Sequence, residues 1–292
     1  MSIGTDIASR FNSKVSTAKC KIGEVYLFRQ LIEAMTAVGF STHCINSTEI
    51  HGSKSFVEFI SSGTCGLLSR GASKRKELAD ILFLAYSPRL HKCRITFMQN
   101  KFQRDDNRTK IKKTDLFQFE LLSQRPLLTF APKFIPTNFL HYALMPSVGS
   151  YGLFVFDSLK NQYDMVYYSA DELCLHTPAG VSTVRQTDFK KKFNTLRTHG
   201  KIEDINAAET LEAFIDYLVD YKIGEPIEGS TLATFKSYLH ALDVPLPKDF
   251  DALTLEAEDT GRISSDEPED RRFERSKLYI SKAIVFVNTD IV

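Results

Sequence analysis

Asp80, Gln99 and Lys101 sit within two strongly apolar stretches, LADILFLAY (78–86) and CRITFMQNKF (93–102), joined by SPRLHK with Pro88 suited to a turn. A sheet core normally excludes such groups, because an amide or carboxyl buried without a partner costs roughly 2 kcal/mol or more. Side chains alternate along a strand, so Ile95, Phe97, Gln99, Lys101 and Gln103 share one face, as do Leu78, Asp80, Leu82 and Leu84. A hairpin pairing of the two stretches brings a carboxylate, an amide oxygen and an ammonium together at one end of the sheet. That trio suits phosphodiester hydrolysis with a divalent metal. Asp80 offers a hard anionic oxygen for Mg²⁺, and Gln99 offers a neutral one. The backbone carbonyl of Asn100 is a further candidate ligand. Lys101 is placed to orient or deprotonate a water, or to stabilise charge on a phosphate.

Asp80, an eighteen-residue gap, then Gln99-Asn100-Lys101 after ITFM resembles the PD-(D/E)XK nuclease superfamily. That superfamily sets an Asp on one core strand and a (Glu/Gln)-x-Lys triplet on the next. The resemblance spans roughly residues 24–160. It implies a restriction-endonuclease-like core with a central mixed β-sheet flanked by helices, and DNA cleavage dependent on Mg²⁺ or Mn²⁺. Asp80, Gln99 and Glu77 would be the metal ligands and Lys101 the lysine of the triplet. Two residues depart from the pattern: Gln99 replaces the commoner Glu and removes a negative charge, and Ala79 stands where a proline is usual. A further acid is expected from Glu77 or from Glu33 on the first predicted helix, with Glu58 third. Strict alternation opposes Glu77 to Asp80 unless a bulge or strand start intervenes.

Structural alternatives stand beside each of these residues. Asp80 and Lys101 could form only an ion pair, Gln99 could satisfy a backbone group, and Glu77 could balance Lys74, Arg75 and Lys76. The basic run Arg104, Arg108, Lys110, Lys112 and Lys113 directly follows the triplet and is the candidate DNA-backbone contact. The stretch 190–201 is a second basic run. Charge runs are more often solvated faces. Tyr163, Tyr167 and Tyr168 read as strand packing rather than base stacking.

The elements that must position the trio follow from periodicity. EVYLFRQLIEAMTAVGF (24–40) carries Val25, Phe28, Leu31, Ile32, Met35 and Val38 at helical spacing and ends near Gly39. A second helix is predicted over 115–127, further strands over 139–176, and amphipathic helices over 207–223 and 230–243. A last strand is predicted over 277–291. Residues 1–20 read as polar and loosely held, 41–55 as a loop, and 256–272 as an acidic loop. The expected organisation is an α/β chain with a nuclease core over 20–205. A mainly helical C-terminal region over 206–292 packs on that core.

Bulk composition excludes several classes. The 292 residues are 43% apolar and 25% charged with net charge +1, an ordinary globular balance. The five cysteines lack CxxC spacing, and the seven histidines lack ligand spacing, which argues against zinc or a disulfide scaffold. No phosphate-binding glycine loop or GxSxG elbow is present. The expectation is a cytoplasmic protein with no signal peptide or membrane span, acting on DNA as a homodimer or with a partner protein of a restriction or antiphage defence system. The rival expectation is a catalytically inactive nucleic-acid-binding or partner-binding subunit of the same fold.

Overall fold

The structure is a computed structural model that describes residues 2–18, 21–50, 56–63, 70–105, 107–131, 135–176, 186–191, 196–199, 202–253 and 281–290. The chain opens with α1 (Ile3–Ser16) and α2 (Glu24–Thr42), then the strands β1 (Ile45–Glu49), β2 (Val57–Ile60), β3 (Ser73–Lys76), β4 (Ile81–Ser87), β5 (Lys92–Phe102) and β6 (Lys110–Asp115). Next come α3 (Leu116–Gln124), β7 (Leu128–Phe130), β8 (Gly149–Asp157), β9 (Gln162–Ser169), β10 (Leu173–His176), β11 (Gln186–Lys191), β12 (Leu196–His199), β13 (Ile202–Ile205) and β14 (Ala207–Ala208). The chain closes with α4 (Leu211–Val219), β15 (Glu225–Ile227), α5 (Gly229–Ala241), α6 (Lys248–Asp251) and β16 (Ala283–Asn288).

The main sheet runs β1-β16-β4-β5-β8-β9-β14, with β15 added beside the first half of β5. It is mixed: β4 and β5 form the predicted antiparallel hairpin, whereas β5 and β8 are parallel and joined through α3. Period-two alternation divides the apolar side chains between two layers. Leu82, Leu84, Ile95, Phe97, Tyr151 and Leu153 face the core shared with α3, α5 and α6. Ile81, Phe83, Ala85, Met98 and Phe154 face the core shared with α1, α2 and α4. Both faces are covered, which is why β4 reads as a continuous apolar run with every residue buried.

Four expectations are corrected. Residues 3–16 are not loosely held: Ser2 caps α1 by accepting from the Thr5 N–H, and Ile7, Phe11 and Val15 are buried against α2 and α4. The stretch 41–55 is not wholly loop, since it contains β1. The turn into β1 is tight, because a Cβ on Gly39 would lie 1.8 Å from the Ile45 carbonyl oxygen. Residues 139–142 form a turn rather than a strand. The polar, charged composition of QRDDNRTKIKK (103–113) predicts a loop throughout, yet its end forms β6. The predicted last strand is found as β16, and it enters the middle of the sheet, parallel to β4 and antiparallel to β1. The acidic stretch 256–272 lies outside the described residues.

Candidate functional site

The site forms where β4 begins and β5 ends. Ile81 pairs with Met98, so one step further along the register Asp80 stands opposite Gln99. The Asp80 N–H donates to the Met98 carbonyl at 3.0 Å, which fixes the backbone there. Asp80 is only 4% exposed. Its Oδ2 accepts from the Gln99 side-chain amide and, at 2.7 Å, from the Asn100 backbone N–H. Its Oδ1 accepts from Lys282 Nζ at 2.6 Å. A buried carboxylate is tolerable only when so saturated.

Lys282 immediately precedes β16 and also reaches Glu77 Oε2 at 3.1 Å, so one ammonium bridges two acids. Burial works against its charge, but Asp80 and Glu77 together outweigh burial and hold its pKa above the ordinary lysine value. Glu77 reaches the site because residues 77–80 precede the strand, where alternation does not apply.

Lys101 pairs with Glu24 Oε1 at 3.9 Å. The structural alternative of an Asp80–Lys101 ion pair is therefore not found: Lys282 is the ammonium on Asp80. Glu24 opens α2 at the mouth of the same cleft. Burial pushes its pKa up, the Lys101 ammonium opposes this, and the Asp80 charge adds to the rise. The cleft measures about 280 Å³ and is lined by Glu24, Asp80, Asn100 and Lys282, with Val25 and Phe28 as an apolar wall.

Glu33, the alternative helix acid, points elsewhere on α2 and pairs with Lys14 at 2.9 Å on an exposed face. Glu58 pairs with Arg75 at 3.9 Å. Of the predicted residues, Asp80, Gln99, Lys101 and Glu77 converge, and Glu33 and Glu58 do not. Glu24 and Lys282 were missed. Glu24 carries the same kind of signal as Glu33, an acid on a sheet-packed helix. Lys282 had no signal, since nothing local ties it to a strand two hundred residues earlier.

Two residues of the basic run after the triplet, Arg108 and Lys112, are engaged in internal pairs. Arg108 pairs with Asp164 at 3.0 Å and Asp157 at 3.1 Å, donates to the Glu209 carbonyl, and accepts at its own carbonyl from the Tyr168 hydroxyl. Lys112 pairs with Asp105. Arg104 is exposed. Lys110 and Lys113 lie on β6 with side chains outside the described set. Tyr167 and Tyr168 are buried, as packing requires, whereas Tyr163 is half-exposed.

The donors here are hard oxygens, the type a Mg²⁺ ion takes. Gln99 Oε1 is buried with no hydrogen-bond partner and is the neutral oxygen such an ion would use. Among the described residues no three His, Cys, Asp or Glu side chains form a group that could hold a metal ion. Lys282 Nζ occupies the place between Asp80 and Glu77 that such an ion would need, and that side chain is 52% exposed. Among the described residues no helix is long and apolar enough to cross a membrane. No protein-family model, curated protein sequence or solved structure matches this chain.

Proposed function

We propose that this chain is a divalent-metal-dependent DNA endonuclease built on a restriction-endonuclease-like core. The observation that carries the reading is that Asp80 bonds Gln99 and shares Lys282 with Glu77 while Lys101 pairs with Glu24 at the same end of the β4–β5 hairpin, with Asp80 and Glu24 lining a cleft. Once β2, β3, β6 and β7, which belong to smaller sheets, are set aside, the order α2, β1, β4, β5, α3, β8, with β8 parallel to β5, follows the helix, strand, strand, strand, helix, strand order of the resembled superfamily. One difference in the sheet is the insertion of β16 between β1 and β4.

Asp80, Gln99 and Glu77 would hold the metal, which when bound supplies Lewis-acid polarisation of the phosphate and a more acidic water. Lys101 stabilises negative charge on the phosphate oxygens. Glu24, whose carboxyl holds its proton to higher pH than usual, is the candidate proton donor to the leaving oxygen. The test is cleavage of plasmid and linear DNA with Mg²⁺ or Mn²⁺ against an EDTA control. The expected result is metal-dependent cutting that Asp80→Asn and Lys101→Ala both abolish while remaining folded. Cutting that survives Asp80→Asn would sink the assignment.

One observation favours a second reading, a non-hydrolytic nucleic-acid-binding or partner-binding subunit. Lys282 already supplies a cation to Asp80 and Glu77. In that reading the lysine is a permanent structural counter-ion, and wild type shows no metal-dependent cutting.

A further inference from the structure

A second concavity of about 440 Å³ is walled by Phe102, Phe156 and Tyr163 and rimmed by Lys21 and Arg104. Phe102 and Tyr163 have ring centroids 6.2 Å apart, and Phe156 and Tyr163 5.1 Å apart, so the three rings form one connected surface. All three are half-exposed, unlike the fully buried Tyr167 and Tyr168 further along β9. Lys21 and Arg104 are exposed, and neither has an ion pair among the described residues. Arg108 and Lys112, by contrast, are tied to internal carboxylates.

We propose that this concavity binds an unpaired nucleic-acid strand. Every base has a π-face, so clustered half-exposed rings accept unstacked bases regardless of sequence, while cations at the rim take the phosphates. A duplex keeps its bases stacked and offers these rings nothing. Two rim cations, unpaired among the described residues, are also few for duplex binding, which is dominated by phosphate contacts. The position connects the concavity to the cleft through the chain. Phe102 follows Lys101 on β5, and Lys21 leads into Glu24 at the start of α2. Neighbouring stretches of chain thus line the concavity and carry the Lys101–Glu24 pair. The inference rests on the hydrolase reading for its purpose and narrows the substrate to DNA or RNA with a single-stranded segment.

The test is fluorescence anisotropy of the full chain with labelled oligo-dT, oligo-rU and a matched duplex, all in EDTA so that nothing is cut. At least one single strand should bind more tightly than the duplex. Tyr163→Ala and Phe156→Ala should each weaken that binding about ten-fold. Tyr163→Phe, which keeps the ring, should retain it. Arg104→Glu, at an exposed position that leaves folding intact, should weaken binding and flatten its salt dependence. The proposal is overturned if neither single strand binds, if the duplex is preferred, or if Arg104→Glu and folded ring variants bind like wild type. The two readings fail separately. Single-strand binding without metal-dependent cutting sinks the hydrolase and spares this site, and cutting with unaltered ring variants does the reverse.

Discussion

Lys282 Nζ lies 2.6 Å from Asp80 Oδ1, joining the entry to β16 with the entry to β4 across two hundred residues of chain. The same nitrogen holds Glu77 at 3.1 Å, so a single ammonium bridges both acids. A divalent cation and this ammonium compete for the same oxygens. Lys282→Met is therefore expected to lower stability without metal by about 1–2 kcal/mol, below the usual figure for breaking a buried pair because the lysine is half-exposed. It should also raise the affinity for Mg²⁺. Thermal unfolding with and without Mg²⁺ checks both: the variant should show the lower Tm in EDTA and the larger upward shift with metal. Equal shifts in variant and wild type would mean that Lys282 and the ion do not share a place.

Glu24 makes a pH-dependent prediction. Its folded pKa is raised above the ordinary 4.5, chiefly by burial. The stability it contributes is thus fully present below that value and is lost as pH rises through the folded pKa. A glutamine in its place cannot ionise. The stability of Glu24→Gln relative to wild type should therefore climb as pH rises from the ordinary carboxyl range toward neutrality, read by denaturant midpoints. If Glu24 donates a proton during cleavage, the same variant should also lose the alkaline limb of the rate profile.

How much of this was legible before the fold was known depended on how local each feature is. The hairpin announced itself, because two buried strands leave long apolar runs and the polar residues inside them stand out. The facing of Asp80 and Gln99 followed from alternation on β5 together with the hairpin register, which carries on one step past the start of β4. Helix α2 was equally plain, yet which of its acids reaches the sheet depends on where the helix starts relative to the strand ends. That is a tertiary fact, and it selected Glu24 over Glu33. Lys282 was invisible for a stronger reason: its strand could be read, but the place where that strand enters the sheet, parallel to β4, has no local signature. Helix α1 carried a partial signal in Ile7, Phe11 and Val15, one helical turn apart, masked by polar neighbours.

Arg108 separates a structural role from a nucleic-acid role. It links Asp157, at the end of β8, to Asp164 on β9 and to the chain entering α4. Asp164 is buried, so removing the guanidinium leaves a carboxylate with a lost partner. Arg108→Ala is expected to lower Tm clearly and to leave the salt dependence of DNA binding unchanged at temperatures where the variant is folded. Arg104→Ala should do the opposite, since Arg104 is exposed and has no ion pair among the described residues. A variant of Arg108 that keeps its Tm and loses a phosphate contact would reverse the assignment.

Asp204 offers a measurement independent of any function. It is fully buried, accepts from the Ser147 hydroxyl and, at 3.3 Å, from the Ser147 N–H, and its pKa is pushed up to about 6. Burial causes the rise, and the Ser147 bonds and the nearby Arg94 charge only partly offset it. Below the ordinary carboxyl range the neutral acid sits in the core at no electrostatic cost. As pH rises through about 6 the folded protein must carry a buried charge, and stability falls. The displacement from 3.8 to about 6 corresponds to about 3 kcal/mol. Asp204→Asn loses an acceptor for one Ser147 donor at every pH, a constant deficit. Its deficit against wild type should shrink by about 3 kcal/mol between about pH 4 and pH 7, followed by urea unfolding at each pH. A difference that stays flat across that window would show that Asp204 remains charged throughout, and that Arg94 and Ser147 offset its burial.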